Sequence, residues 1–266
     1  STVERMSPAE RIASLQIAGL YALRMLGLFM VLPVLALYAR DLPGATPFKL
    51  GLALGIYGLT QALLQIPFGS LSDRLGRKPM LLIGLALFGI GSLIAGLAPG
   101  IEAIILGRAL QGAGAISAVL SALLADLTRP EQRTKAMAIV GVTIGTSFSL
   151  SMFLGPVLDR AMGVRGIFLL TAAFTGLALL VVWRLPTPPG SDAAPRPARD
   201  WSHLTDPLLW RLNLGVFLLH LILPARFGAI PPLLKDEMGL NPGNHWKVSL
   251  PVMLAAFIAM APLVMR

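Results

Sequence analysis

Residues Leu50–Ile101 decide the fold of this chain. Their sequence is LGLALGIYGLTQALLQIPFGSLSDRLGRKPMLLIGLALFGIGSLIAGLAPGI. Two stretches without a charged residue, Leu50–Ser72 and Pro79–Ile101, flank a short segment with one aspartate, two arginines and one lysine. A helix needs about 20 apolar residues to cross the hydrocarbon core of a bilayer. The sequence therefore predicts two membrane-spanning helices that are joined by a short, charged loop.

The same pattern recurs along the chain and predicts eight transmembrane helices. Five of the spans are uncharged, and three contain one internal arginine each, at Arg24, Arg108 and Arg226. The predicted spans are Ile12–Ala39, Leu50–Ser72, Pro79–Ile101, Ala103–Ala125, Ala136–Leu158, Gly166–Trp183, Leu212–Leu234 and Val248–Met265. We therefore expect an all-α polytopic membrane protein.

The composition excludes several other classes of protein. Of the 266 residues, 55% are hydrophobic and 13% are charged, whereas soluble domains carry about 25% charged residues. This excludes an ordinary soluble enzyme and a disordered chain. The net charge of +9 is spread over short clusters between apolar runs, so we expect no nucleic-acid partner. The absence of cysteine excludes disulfides and thiolate metal sites.

The distribution of basic residues and prolines predicts the orientation and the domains. With a cytoplasmic N-terminus, twelve Lys and Arg lie in inner segments and six in outer loops, as the positive-inside rule requires. Residues 185–209 are rich in proline, which blocks helix continuation. We expect them to be a cytoplasmic linker between a six-helix bundle (1–184) and the first two helices of a second bundle (210–266).

A weak internal repeat supports this division. Aligning Val31–Leu35 with Ala229–Leu233 also places Leu50 beside Val248, the starts of the second and eighth spans. Repeats of this kind are typical of secondary transporters, whose halves move about a central site. We therefore expect four further helices to follow Arg266, which would complete a twelve-helix protein.

The charged loop between the second and third spans has its own chemistry. Gly76 suits a sharp turn, Asp73 is a candidate cap for a helix N-terminus, and Arg77 is suited to pair with a carboxylate. The nearest acid in the predicted topology is Asp126, at the inner end of the fourth span.

Residues Gly69-Ser70-Leu71-Ser72-Asp73-Arg74-Leu75-Gly76-Arg77-Lys78 resemble, position for position, the signature loop of the major facilitator superfamily. The resemblance implies a helical bundle of that type, of which the C-terminal half is incomplete here. It also implies a latch that holds the two halves together in the outward-open state. The latch residues would be Gly69, Asp73, Arg74, Gly76, Arg77, Lys78 and Asp126. The alternative is that the basic residues are only topology charges.

Two further motifs resemble those of bacterial twelve-helix drug/proton antiporters of this superfamily. Arg108, followed by Gln111-Gly112 and small residues, resembles the helix-four motif. That resemblance implies a proton relay at Arg108; the alternative is a structural hydrogen bond between helices. Gly155-Pro156 resembles part of the helix-five motif and predicts a bend or break there. The match is partial, because Ser151 and Asp159-Arg160 replace glycines of the motif.

Polar side chains inside the spans predict the substrate pathway, because such groups are costly in a membrane. Tyr57, Gln61 and Gln65 are spaced by four and share one helix face. The alternative is hydrogen bonding between helices away from any cavity. The candidate cavity residues are Arg24, Tyr57, Gln61, Gln65, Gln111 and Asn213.

Proton coupling requires a group whose charge changes during the cycle. No Asp or Glu lies deep in any predicted span. His220, in the seventh span, is the intramembrane group with an ordinary pKa near 6.5. We interpret it as a candidate proton site, with a structural, hydrogen-bonded histidine as the alternative.

These observations predict a proton-coupled exporter of small amphipathic organic molecules in the bacterial inner membrane. It would work by alternating access and, at full length, as a monomer. The alternatives are a sugar or metabolite symporter on the same fold, and a non-transporting membrane receptor or assembly subunit. The expected partners are the small-molecule substrate, protons and the lipid bilayer. No enzyme activity, cofactor or metal site is expected, because the chain has no nucleophile elbow, phosphate loop or paired histidines.

Overall fold

The computed structural model describes residues 6–185, 207–252 and 254–255. Every regular element in these ranges is a helix, so the all-α prediction is confirmed. The α-helices are α1 (Pro8–Arg40), α2 (Pro47–Leu75), α3 (Arg77–Gly96), α4 (Ile101–Ala113), α5 (Ser117–Asp126), α6 (Arg133–Arg184) and α7 (Pro207–Asp236). Two short 3-10 helices lie at Pro130–Gln132 and Pro242–Asn244, and helical residues resume at 246.

The first two helices begin at capped N-termini. The Ser7 hydroxyl accepts from the Glu10 backbone N–H at 3.2 Å, and the Glu10 carboxylate accepts from the Ser7 N–H at 2.8 Å. The Thr46 hydroxyl accepts from the Lys49 N–H at 3.2 Å. Such caps satisfy backbone donors that have no partner inside the helix, so α1 and α2 start where the sequence changes from polar to apolar.

Five helical segments in the described part are long and apolar enough to cross a membrane. They are Pro8–Arg40, Pro47–Leu75, Arg77–Gly96, Ile101–Asp126 and Pro130–Arg184. The last segment contains 55 residues, more than twice the length of one crossing. Its backbone leaves helical geometry at Gly163, where φ is 71° and ψ is 171°. Gly163 separates the fifth and sixth predicted spans, so these five segments contain the first six spans.

The fourth predicted span, Ala103–Ala125, lies within the segment Ile101–Asp126, but its helix is interrupted near the middle. Helix α4 ends at Ala113 and α5 begins at Ser117. Between them the Ala115 N–H donates to the Ala113 carbonyl at 2.8 Å. A Cβ on Gly114 would overlap the carbonyl of Gly84 in α3. Irregular backbone at this depth is tolerated where protein surrounds it, and Gly114 is buried.

Helix α1 contacts most of the other helices, and its most extensive contact is with α6. Close approaches at glycine fix the packing. A Cβ on Gly91 of α3 would overlap the Gly107 carbonyl of α4, and a Cβ on Gly155 of α6 would overlap the Met30 carbonyl of α1. The first four spans and α6 therefore form one tightly packed unit.

The remaining predicted spans are described in part. Helix α7 contains the seventh predicted span, Leu212–Leu234. The eighth, Val248–Met265, is described only at 248–252 and 254–255, and residues 186–206 of the predicted linker lie outside the described residues. The division of the chain into two bundles and a linker therefore stays a prediction.

The bundle has two ends, which we call the basic end and the distal end. The basic end holds the α2–α3 junction at Gly76 and the start of α1. The distal end holds the end of α1 at Arg40 and the end of α7 at Asp236.

Candidate functional site

At the basic end, Arg77 joins the ends of three helices. Its NH1 donates to Asp73 Oδ1 and to Ser72 Oγ, each at 2.6 Å, and its Nε donates to Asp126 Oδ2 at 3.0 Å. Arg77 is 8% exposed, whereas the two aspartate side chains are about one-third to two-fifths exposed. The structure thus brings Asp73, Arg77 and Asp126 into one cluster that connects α2, α3 and α5.

The backbone geometry explains how so short a loop is possible. Gly76 has a φ of 94°, which favours glycine, and it alone separates α2 from α3. The prediction that Asp73 caps a helix N-terminus was wrong: α3 has no side-chain cap, and Asp73 lies within α2 and faces Arg77. A Cβ on Gly69 would lie 3.7 Å from Ala118 of α5, an ordinary contact, so α2 and α5 are adjacent there and the packing does not require glycine.

The other basic residues of the motif have different surroundings. Lys78 donates from its ammonium to the carbonyls of Trp183 at 2.6 Å and Leu185 at 3.1 Å. It therefore binds the last carbonyls of α6, where a cation is favoured. Arg74 is exposed and does not take part in the Arg77 cluster.

A second ion pair at the basic end was missed by the sequence analysis. Glu10 is buried, and its Oε1 accepts from the Arg129 backbone N–H at 2.9 Å and from its Nε at 3.0 Å. This pair connects the start of α1 to the segment between α5 and α6. The Ser7–Glu10 capping spacing was a visible signal for the role of Glu10, but nothing local identifies Arg129 as its partner.

Inside the bundle, Arg24 lies at the centre of a polar network. Its NH1 donates to Ser117 Oγ at 2.8 Å. Its NH2 lies within 3.1 Å of the Tyr57 hydroxyl and of the Gly114 carbonyl, and within 3.4 Å of Gln61 Oε1. The Gly114 carbonyl belongs to the break between α4 and α5. Three of the predicted cavity residues, Arg24, Tyr57 and Gln61, therefore meet at this break.

Arg108 and Gln111 lie in a neighbouring network in α4. Arg108 donates from Nε to the Ala53 carbonyl at 3.3 Å and from NH1 to Gln111 Oε1 at 3.0 Å. Gln111 donates in turn to Ser92 Oγ at 2.9 Å. The Arg108 guanidinium lies 5.0 Å from the centre of the Tyr57 ring, a cation–π distance. Tyr57 therefore contacts both buried arginines.

Among the other predicted cavity residues, Gln65 has a described side chain and takes no part in these networks. Gln65 lies one turn beyond Gln61, and its Oε1 is buried without a hydrogen-bond partner among the described residues. Asn213 and His220 lie on α7, but their side chains are outside the described residues.

The predicted break at Gly155-Pro156 is not where α6 is interrupted. The helix continues through Pro156, and the non-helical residue inside α6 is Gly163. Gly155 has another function in the packing, because α1 passes so close that a Cβ would meet Met30 and Pro33. Pro156 directly follows this close approach and lies inside the helix, where neighbouring helices make a proline tolerable.

At the distal end, an ion pair connects α1 to α7. Arg40 donates from NH1 to Asp236 Oδ2 at 2.8 Å and from NH2 to Oδ1 at 3.3 Å, a bidentate arrangement. The hydrogen bond from Arg40 lowers the pKa of Asp236. Arg160 of α6 donates to Asn241 Oδ1 at 3.3 Å, beside Gly243. The sequence analysis did not identify these partners.

Aromatic contacts lie beneath this pair. Phe148 of α6 makes edge contacts with Phe29 of α1, at 4.9 Å between ring centres, and with Phe227 of α7, at 6.4 Å. A cavity of about 30 Å³ adjoins them, which is large enough for water but not for a drug-sized molecule. His245 lines it and is buried, and burial lowers the pKa of its imidazole. Among the described residues, α1, α6 and α7 therefore contact one another at this end.

Comparisons with known proteins agree with this architecture. The chain is 46% identical over 266 residues to the inner membrane transport protein YajR of Escherichia coli, covering 98% of this chain and 58% of YajR. It is 31% identical over 132 residues to the quinolone resistance protein NorA of Staphylococcus aureus, covering 49% of this chain and 34% of NorA. The chain thus spans little more than half of YajR.

A solved structure gives the same result for the fold. A bacterial homologue of the human lysosomal transporter Spinster, in an inward-facing and unoccupied conformation, has a TM-score of 0.72 and 16% identity. The match covers 90% of this chain and 58% of that one. The family model of the Major Facilitator Superfamily matches residues 17–266. The chain therefore belongs to the Major Facilitator Superfamily, a family of membrane transporters and not of enzymes.

Proposed function

We propose that the full-length protein is a proton-driven exporter of small amphipathic organic molecules that works by alternating access in the bacterial inner membrane. In this proposal the basic end and the N-terminus face the cytoplasm, the protein acts as a monomer, and the pathway opens alternately at the two ends. The names of the relatives YajR and NorA, a transport protein and a resistance protein, support this class of function.

The observation that carries the proposal is the ion pair between Arg40 and Asp236. It connects α1 to α7, and these helices belong to different bundles in the predicted domain division. The two side chains are partly exposed, about 30% and 51%, and exposed ion pairs contribute little to stability. A contact of this kind can break and re-form at small cost, as alternate opening of the distal end requires.

The basic-end cluster has the complementary function. Asp73, Arg77 and Asp126 connect helices of the first bundle, and they present partly exposed carboxylates at the surface. We propose that this cluster is the latch surface that the second bundle contacts when the distal end is open. Arg108, buried and close to Tyr57, is the proposed proton relay, and His220 is a second candidate.

The test is transport of norfloxacin, a fluorescent quinolone, into everted membrane vesicles that contain the full-length protein. We expect uptake that requires respiration and stops when an uncoupler removes the proton gradient. Asp73→Asn should reduce the rate at least about tenfold without reducing the amount of protein in the membrane. Glu131→Gln, which removes an exposed carboxylate at the same end, is the control and should transport normally.

Uptake that continues after addition of the uncoupler would contradict proton coupling. Equal transport by Asp73→Asn and Glu131→Gln would contradict the latch assignment, because the two variants remove the same charge at the same end.

A further inference from the structure

Arg24 is a buried cation without a counter-ion among the described residues. It lies in the middle of α1 and is 2% exposed, and no Asp or Glu occurs between Glu10 and Asp41. Its four acceptors are a serine and a tyrosine hydroxyl, an amide oxygen and a backbone carbonyl, all of them neutral. Arginine is protonated at neutral pH, so Arg24 places a full positive charge inside the bundle.

One donor of this guanidinium is unused. Arg24 Nε is buried and has no hydrogen-bond partner among the described residues. A buried donor without a partner is costly, and a charged one more so. A site of this kind is incomplete until an acceptor, preferably an anion, binds to it.

The start of α5 adds a second positive feature at the same place. Helix α5 has ten residues, and the residue that precedes it, the N-cap Ile116, provides no side-chain cap. The N-terminus of a helix carries partial positive charge and free N–H groups that favour anions. Ser117, the first residue of α5, accepts directly from Arg24, so the guanidinium and the helix N-terminus are adjacent.

Arg108 provides the internal comparison. It is equally buried, at 1% exposed, but its Nε donates to the Ala53 carbonyl and its NH1 to Gln111. Its hydrogen bonds lie within the packed interior of α2, α3 and α4. The two arginines therefore differ: Arg108 is held by the packing of the bundle, whereas Arg24 lies beside a helix N-terminus and has a donor without a partner among the described residues.

The network around Arg24 reaches the surface of the bundle. Ser117 and Gln61 are half-buried, and the neighbouring residues Leu59 and Leu63 of α2 are exposed. Rotation of the Ser117 and Gln61 side chains would free the guanidinium to donate to a ligand at this surface. The apolar side chains of α2 suit the hydrocarbon part of an amphipathic molecule.

We propose that Arg24 and the N-terminus of α5 bind a negatively charged oxygen group of the transported molecule. The substrates would then be organic anions, of which carboxylates are the simplest example. A carboxylate can accept from two guanidinium nitrogens at once, and its negative charge would balance the positive charge of Arg24. This assignment rests on the proposed transport function and adds the charge of the substrate to it.

The test is binding to the purified full-length protein by isothermal titration calorimetry. The probes are 1-naphthoate, its neutral analogue 1-naphthamide and the cation 1-naphthylmethylammonium, which share one ring system and differ in charge. We expect naphthoate to bind at least about tenfold more tightly than either analogue. Arg24→Gln should abolish this preference, and Arg24→Lys should retain part of it, because lysine keeps the charge without the planar fork.

Arg11→Gln is the matched control, since it removes an exposed arginine from the same helix and should bind naphthoate as the wild type does. The inference is overturned if naphthoate fails to bind, if the cation or amide binds equally well, or if Arg24→Gln keeps the preference. If a carboxylate of the protein itself already paired with Arg24 in the full-length chain, naphthoate would fail to bind, and the inference would be wrong.

The two proposals fail in different ways. Proton-driven norfloxacin uptake that does not depend on Arg24 would contradict the anion site and support the exporter. Charge-selective naphthoate binding through Arg24, without proton-driven transport of any probe, would contradict the exporter and support the binding site.

Discussion

The basic end and the distal end of the bundle are both held by arginine–aspartate pairs, but these pairs connect different parts of the molecule. At the basic end, Arg77 binds Asp73 and Asp126 within the first bundle and is almost fully buried. At the distal end, Arg40 binds Asp236 across the predicted boundary between bundles, and both side chains are partly exposed.

The difference separates a structural contact from a reversible one. A buried guanidinium that loses its partners leaves an uncompensated charge, which is strongly destabilising. An exposed pair is hydrated on both sides when it breaks, so its loss changes little besides the distance between the two helices. The same chemistry therefore serves rigidity at one end and, in the proposed transport cycle, movement at the other.

The largest effect is expected at the basic end. Arg77→Gln removes three hydrogen bonds and leaves two carboxylates close together, which should destabilise the full-length protein by about 1–3 kcal/mol. Arg74→Gln, in the same loop but exposed, should change stability by less than about 0.5 kcal/mol. Thermal unfolding in detergent measures both, and equal melting temperatures for the two variants would contradict the comparison.

A smaller effect, on conformation and not on stability, is expected at the distal end. Arg40→Gln should raise the population that is open there by up to about fivefold and leave the melting temperature nearly unchanged. The labelling rate of Met152→Cys by a maleimide reports this opening, because Met152 is buried beside the cavity and the chain has no other cysteine. An unchanged labelling rate would show that the pair does not hold the end closed.

The pH dependence of closure distinguishes two groups at the distal end. Arg40 lowers the pKa of Asp236 below its ordinary 3.8, so the pair contributes at higher pH and is lost only as the pH falls through that lowered value. Burial lowers the pKa of His245 below 6.5, because the charged imidazolium is poorly solvated in the buried position. Closure should therefore weaken as the pH falls below about 6.5, through His245 and not through Asp236.

The cation Lys235, at the end of α7, also lowers the pKa of His245, whereas the hydrogen bond with the Leu240 carbonyl raises it. Arg226 lines the same cavity. We expect Met152→Cys labelling, normalised to the exposed Met238→Cys at each pH, to rise two- to threefold between about pH 7.5 and 5.5. His245→Gln should remove this rise, and a rise that persists in the variant would contradict the assignment.

The smallest effect is expected for an ion pair that lies within one bundle. Lys49 and Glu102 also form an ion pair at the distal end, but it connects α2 to α4 within the first bundle. Lys49→Gln should therefore leave Met152→Cys labelling unchanged, although it breaks an exposed pair at the same depth as Arg40→Gln. If the labelling rate rose as much as in Arg40→Gln, opening would depend on the charge at this end and not on the connection between α1 and α7.

The sequence predicted those features that depend on composition and local spacing. The apolar runs predicted the helical fold, and the loop at Gly76, together with an acid at the end of the fourth span, predicted that Arg77 would meet Asp126. The boundary between the fifth and sixth spans, at residues 159–165, also followed from the lengths of the runs, and Gly163 lies inside it.

Features that depend on three-dimensional packing were not predictable in this way. The break after Ala113 lies where Gly84 of α3 closely approaches Gly114, a contact between residues on different helices. The partners of Arg24 and Arg40 lie on other helices, 33 and 196 positions away for Tyr57 and Asp236. Spacing along one helix carries no information about such pairs.

The most direct test of alternate opening is the distance between spin labels at Asp41→Cys and Met238→Cys in the full-length protein in lipid, measured by pulsed electron resonance. Both positions are exposed and flank the Arg40–Asp236 pair. The account predicts two distances, a short one that dominates at neutral pH and a longer one that gains population in Arg40→Gln. A single distance, unchanged by that substitution, would contradict alternate opening at this end.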